Sequence, residues 1–148
     1  MTHTFLLEAG RWTLEGHWLE SDRRPIAFTG KTLVAWNQDN WFTIVTKLIF
    51  SNSERPEMIM QYRGRLGVED QSYTFVLQHS QLGRVEGEGW LGPTSIVQRF
   101  WVLDTRDRRS GFETIYRLND KRYCLTTGIM AGHSLLSTME ATLERQPN

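Results

Sequence analysis

The sequence predicts an all-β protein, a closed up-and-down antiparallel β-barrel of about ten strands. Three observations lead there. Apolar and polar residues alternate with period two along most of the chain. Turn chemistry interrupts that alternation at short intervals and leaves ten strand-length runs. Most breaks are too short for a crossover helix, so successive runs pair as hairpins. Closure then removes the two edges such a meander would expose.

The runs follow in order. The first, Trp12 to Leu19, stops at Ser21-Asp22-Arg23-Arg24-Pro25. Ile26 to Trp36 comes next, with a bend expected at Gly30, and stops at Asn37-Gln38-Asp39-Asn40. Trp41 to Phe50 ends at the polar stretch Ser51 to Pro56, and Glu57 to Leu66 ends at Gly67. Gln71 to His79 and Arg84 to Leu91 are split by Gln81-Leu82-Gly83. Gly92-Pro93 precedes Thr94 to Leu103, and the charged loop from Asp104 to Ser110 precedes Gly111 to Leu118. Lys121 to Met130 and Ser134 to Glu144 complete the set. The only helical candidate is a short turn over Thr4 to Ala9, placed to plug one end of a barrel or to fray.

Composition bounds the rest. The 148 residues suit one domain, 1–148, large enough to bury a core without disulfides. Zero net charge and a pI near 6.9 argue against a nucleic-acid-binding protein. Arg63, Arg65 and Arg84 therefore read as solvated strand faces and not as a binding stripe. The lone Cys124 excludes an internal disulfide and a multi-cysteine zinc site. No run approaches the ~20 apolar residues of a membrane helix, and the first residues lack the features of a signal peptide. A cytoplasmic location without membrane insertion is expected. An oligomeric state is not readable from the pattern. Six Trp, seven Phe and four Tyr are the unusual feature, and they pose the question of what they enclose.

Gly10-Arg11-Trp12 opens the first strand and resembles the Gly-x-Trp signature of lipocalins and related calycins. The resemblance implies a Trp inside the closed end of the barrel with an Arg of the last strand packed over it. Arg145 is that Arg: it shares the face of Leu135, Met139, Ala141 and Leu143, and strand ten ends where strand one begins. Ten strands are more similar to the intracellular fatty-acid-binding-type barrel than to the eight-stranded secreted one, but the two-helix lid of that family has no room between Glu20 and Ile26. The resemblance implies a ligand held inside the barrel. It also implies two alternatives: a lyase-like enzyme acting on a bound hydrophobic substrate such as a bilin, or a barrel of the nitrobindin type that holds haem through one His, here His79 or His133.

Strand parity gives a provisional interior. Trp12, Leu14, Gly16 and Trp18 face in from strand one, and Phe42, Ile44, Thr46, Leu48 and Phe50 from strand three. Strands four to six offer Met58, Met60, Tyr62 and Gly64, then Tyr73, Phe75, Leu77 and His79, then Val85, Gly87, Gly89 and Leu91. Strand eight offers Phe112, Thr114, Tyr116 and Leu118. Strand seven has two open choices, Ile96, Gln98, Phe100 and Val102 or Val97, Arg99, Trp101 and Leu103, and strand nine is equally open. The inward glycines 16, 87 and 89 leave volume or relieve curvature. A ten-strand barrel is wider than its side chains easily fill, so a cavity is expected, and a filled interior with no cavity of ~300 Å³ counts against ligand binding.

An aromatic lining with a few polar groups suits a small-molecule pocket. The candidate ligand contacts are Trp18, Phe42, Thr46, Met60, Tyr62, Phe75, Gln98, Arg99, Phe112, Thr114 and Tyr116. Arg99, with Arg117 and Tyr116, is positioned to hold an anionic group. No phosphate loop, nucleophile elbow or zincin His pair occurs, so neither a cofactor nor a catalytic residue is assigned. The expected partner is a small hydrophobic or aromatic molecule.

Overall fold

Alternation of buried and exposed side chains resolves into ten strands in the computed structural model, which describes residues 2–20, 23–52, 54–104 and 106–147. Ser21, Asp22, Ser53 and Thr105, which the sequence places in breaks between strands, lie outside these. The strands are β1 (Gly10–Glu20), β2 (Ile26–Trp36), β3 (Trp41–Phe50), β4 (Met58–Leu66), β5 (Ser72–His79), β6 (Gly83–Leu91), β7 (Ser95–Val102), β8 (Arg109–Asn119), β9 (Arg122–Ala131) and β10 (Ser134–Arg145). Each pairs antiparallel with its chain neighbours, and β1 pairs with β10 to close the ring. None of the described residues is in a helix long and apolar enough to cross a membrane.

The closed end is sealed by aromatic packing. Trp12 and Arg145 are opposed across β1 and β10, and the guanidinium carbon lies 5.8 Å from the indole centroid. The segment 4–8 forms turns and not a helix, and it plugs this end. Leu6 and Phe5 are buried, and Phe5 meets Trp12 edge-on at 5.3 Å. Trp36 Nε1 donates to the Leu6 carbonyl at 2.7 Å. His3 Nε2 donates to the Gly92 carbonyl at 2.6 Å, so its Nδ1 accepts from the Tyr123 hydroxyl at 2.9 Å. The sequence leaves this segment open between a plug and a frayed end, and does not disclose its buried polar anchor.

The facing of strands one and three to six agrees with the expected parity, and strand seven turns Ile96, Gln98, Phe100 and Val102 inward. Strand nine buries Tyr123, Leu125, Thr127 and Ile129. Strand eight is inverted. Gly111, Glu113 and Ile115 face in, whereas Phe112, Thr114, Tyr116 and Leu118 face out, with Phe112 56% exposed. The reason is volume. Residues directly opposed across two strands share a face, and Phe100 is opposed to Gly111. A Cβ on Gly111 would lie 1.9 Å from Phe100 Cζ, so only glycine fits beneath that ring. Apolarity favoured the other face, but packing against β7 decided. Leu135 of β10 is a smaller correction. A bulge between Leu135 and Ser137 turns it out and buries Ser137 instead.

The Phe100–Gly111 pair belongs to a longer row. Phe42, Gly64, Phe75, Gly87, Phe100 and Gly111 are opposed in succession from β3 to β8. Each phenyl ring lies over the following glycine, with a notional Cβ 2.3 Å from Phe42 Cζ at Gly64 and 2.2 Å from Phe75 Cζ at Gly87. Aromatic cover of a strand glycine both fills the space and pins the register. The glycines therefore do not leave ligand volume: neighbouring rings occupy Gly87 and Gly89, and at Gly16 the backbone of β10 closes in.

Candidate functional site

What remains inside is an enclosed cavity of about 60 Å³. That is well below the ~300 Å³ of a typical small-molecule pocket. Phe42, Thr46, Met60, Tyr62, Phe75 and Gln98 of the candidate contacts line it. Leu14, Ile44, Ile115, Leu125, Met139 and Leu143 supply most of the remaining apolar wall, and Phe5 and Leu6 of the plug form its floor.

Several of the polar groups are connected. Tyr73, Gly89, Gln98, Glu113 and Thr127 form a second row, one inward position along from the phenylalanine row and running from β5 to β9. Gly89 is the gap that lets Tyr73 reach across, since a Cβ there would lie 2.1 Å from the Tyr73 ring. The Tyr73 hydroxyl donates to Gln98 Oε1 at 2.6 Å. That bond fixes the amide so that Gln98 Nε2 donates to Glu113 Oε2 at 3.3 Å. Thr127 stands directly opposite Glu113; its hydroxyl has no partner within strict hydrogen-bond geometry, yet its approach favours the ionised carboxyl. Thr32 and Thr46 satisfy each other at 2.5 Å on the far wall.

Glu113 is 8% exposed, and burial pushes its carboxyl up to about 7 against the pull of Gln98 and Thr127. Burial, and secondarily the charge of Glu113, raises the phenols of Tyr62 and Tyr73, so both are neutral donors or acceptors at any ordinary pH. The sequence reading missed Glu113 because a glutamate alternating with Phe112, Tyr116 and Leu118 reads as solvent-facing. The opposition of Gly111 to Phe100 is the signal that places it.

The other candidates lie elsewhere. Arg99 points outward, ion-paired to Glu88 at 2.9 Å and stacked on Trp101 at 5.3 Å. Phe112, Thr114 and Tyr116 are on the outer face with it. Arg117 has inward parity, but its guanidinium is ion-paired to Asp120 at the closed end. Among the described residues, no Lys, Arg or His lines the cavity. Trp18 faces in at the opposite, open end, where it forms a stopper. Arg55 stacks on Trp18 at 5.4 Å and on Phe50 at 5.0 Å, and it is ion-paired to Glu20. Trp18 Nε1 donates to Glu20 Oε1 at 3.0 Å. The hydrogen bond from Arg55 holds the Glu20 carboxyl below its ordinary range, although partial burial opposes it.

His79 sits near this stopper, and its environment bears on haem. Its Nδ1 accepts backbone N–H bonds from Gln81 at 3.1 Å and Leu82 at 3.2 Å. The ring proton is therefore on Nε2, the nitrogen an iron would need. An axial ligand of that kind instead carries the proton on Nδ1 and donates it. The His79 site does not fit a haem iron, and His133 is on an exposed turn. Among the described residues, no group of three metal-ligating side chains gathers. Burial lowers His79 from its ordinary 6.5 to about 4. The neutral ring is favoured by folding, so its contribution is complete above pH 6.5 and is lost as pH falls through 4. The unfolding free energy of the unaltered protein minus that of His79→Gln is expected to fall from pH 7 to pH 4, because every other titrating group is common to both and cancels.

A closed ten-strand barrel with a sealed Trp–Arg end and an interior cavity defines a calycin-like fold. Three solved structures are similar to it. Rv2717c from M. tuberculosis superposes with a TM-score of 0.73 at 15% identity, covering 93% of this chain and 92% of that one. The S-type phycobiliprotein lyase CPES from Guillardia theta gives 0.66 at 11% identity, covering 95% and 89%. EF1p2_mFAP2b, solved bound to DFHBI, gives 0.53 at 10% identity, covering 98% and 100%. At these identities the likeness is one of fold. No family model matches the chain, and no curated protein matches its sequence.

Proposed function

We propose that the protein binds a compact, mostly apolar or aromatic molecule inside the barrel. The observation behind this reading is the interior cavity with the connected polar groups Tyr73, Gln98 and Glu113 on its wall. A packed core would distribute or omit them, since each buried polar group without a full set of partners costs ~1–3 kcal/mol. The likeness in fold to a phycobiliprotein lyase and to a barrel solved bound to DFHBI supports it.

Size sharpens the ligand class. A dry cavity of about 150 Å³ holds benzene. The present 60 Å³ must therefore open to admit even that. Met60 and Met139 are on the wall, and unbranched thioether chains are the side chains that repack most readily. A tetrapyrrole would need displacement of the aromatic row, so a bilin is disfavoured against a single ring. With no cation on the wall, an anionic end is disfavoured too.

Backbone amide NMR with benzene, indole, a fatty acid and a bilin tests the reading. Benzene or indole is expected to shift the amides of Phe42, Tyr62 and Phe75, with the larger ligands shifting none of them. Failure of every single-ring compound to move these residues refutes it. A second reading, acid–base catalysis on the bound molecule, draws on the same clustering, because Glu113 near neutrality beside two phenols can exchange a proton.

A further inference from the structure

We infer that the row of Tyr73, Gln98, Glu113 and Thr127 receives a basic nitrogen, so that the molecule held in the barrel carries an amine-, amidine- or imidazole-type group. This deepens the binding reading above and rests on it.

Hydrogen-bond direction is the first argument. The Tyr73 proton is spent on Gln98, and the Gln98 amide proton on Glu113. The chain of donors ends at the carboxyl. A carboxylate has two oxygens with about four lone-pair sites. Gln98 fills one of them with a long bond, and Thr127 approaches another without closing it. The wall therefore offers the cavity unfilled acceptors, the complement of an N–H-bearing cation.

Charge is the second argument. The strands around Glu113 present no cation to it. Tyr62 on β4 and Tyr73 on β5 are the titratable groups that face it, and both are neutral. Gln98 on β7 and Thr127 on β9 are uncharged, and Leu14, Thr32, Ile44, Thr46, Met139 and Leu143 complete the wall from β1, β2, β3 and β10. An ionised carboxyl buried without a counter-charge is strongly disfavoured. A cationic ligand would supply the missing charge. Because burial brings the carboxyl to about 7, a neutral base entering at neutral pH can take the proton from Glu113 and form the ion pair in place.

Isosteric five-membered rings separate the possibilities. Imidazole is a base, pyrrole donates an N–H but is not basic, furan does neither, and acetate is a small anion. Affinities are measured at pH 7 by amide NMR, with the ¹³C signal of the Glu113 carboxyl followed in parallel. Imidazole is expected to bind at least tenfold more tightly than furan and pyrrole, and acetate not at all. Glu113→Gln is expected to reduce imidazole to the affinity of furan while leaving furan within about twofold. In the unaltered protein the carboxyl signal is expected to move to its ionised position with imidazole and to stay with furan, a readout that needs no variant. Equal binding of imidazole and furan, equal binding of pyrrole and imidazole, retention of imidazole by the variant, or binding of acetate overturns the basic-nitrogen assignment alone. Failure of all the rings to bind overturns the binding reading itself.

Discussion

Gly16→Ala is expected to lose about 3 kcal/mol of stability, the upper part of the usual range for overpacking. For a domain of this size that is roughly 10 °C in melting temperature. A Cβ at position 16 would lie 2.0 Å from the Glu140 carbonyl oxygen and 2.8 Å from Ala141 Cα. Both are backbone atoms of β10, the strand that closes the barrel against β1. No rotamer change relieves such a clash, so the seam must open. Gly128→Ala is the control. Its new methyl would meet Leu135 Cδ1 at 3.6 Å, an ordinary contact. The control is expected to change stability by less than about 0.5 kcal/mol, as remote substitutions usually do. Guanidinium denaturation of both variants decides. Equal losses would mean that the seam at Gly16 has no special status.

The same close packing explains what the sequence disclosed and what it hid. Strand number and boundaries were legible because turn residues interrupt a period-two pattern, and each boundary falls within two residues of its expected place. Most facings were legible because water selects them: Arg84, Glu86 and Glu88 fix β6, and Leu14 and Trp18 agree with Trp12 on β1. Strand eight was not legible, because both of its faces are partly apolar. There the choice was made by the fit of Gly111 beneath Phe100, a contact between residues eleven positions apart that has no signature within either strand. The error propagated. It put Phe112, Thr114 and Tyr116 in the candidate site and left Glu113 outside.

Glu113 gives a large pH-dependent effect around neutrality. Its carboxyl rises from an ordinary 4.5 to about 7, so between these values the folded state binds a proton that the unfolded state does not. Stability attributable to this group is therefore complete below pH 4.5 and declines as pH rises through 7. A shift of this size corresponds to about 3 kcal/mol. Glu113→Gln keeps the shape and a hydrogen-bonding amide but cannot ionise. The variant is expected to match the unaltered protein near pH 4.5 and to exceed its stability by about 3 kcal/mol at pH 8. His79 changes stability in the opposite direction over an overlapping range, but it is present in both proteins and cancels in their difference. The quantity to measure is thus the difference in unfolding free energy between the two proteins across pH 4.5 to 8. A flat difference would mean that Glu113 has found a counter-charge or enough water in the folded state to ionise normally. A rising one leaves the protein holding, at neutral pH, a buried carboxyl that destabilises it and that a cation in the cavity would relieve.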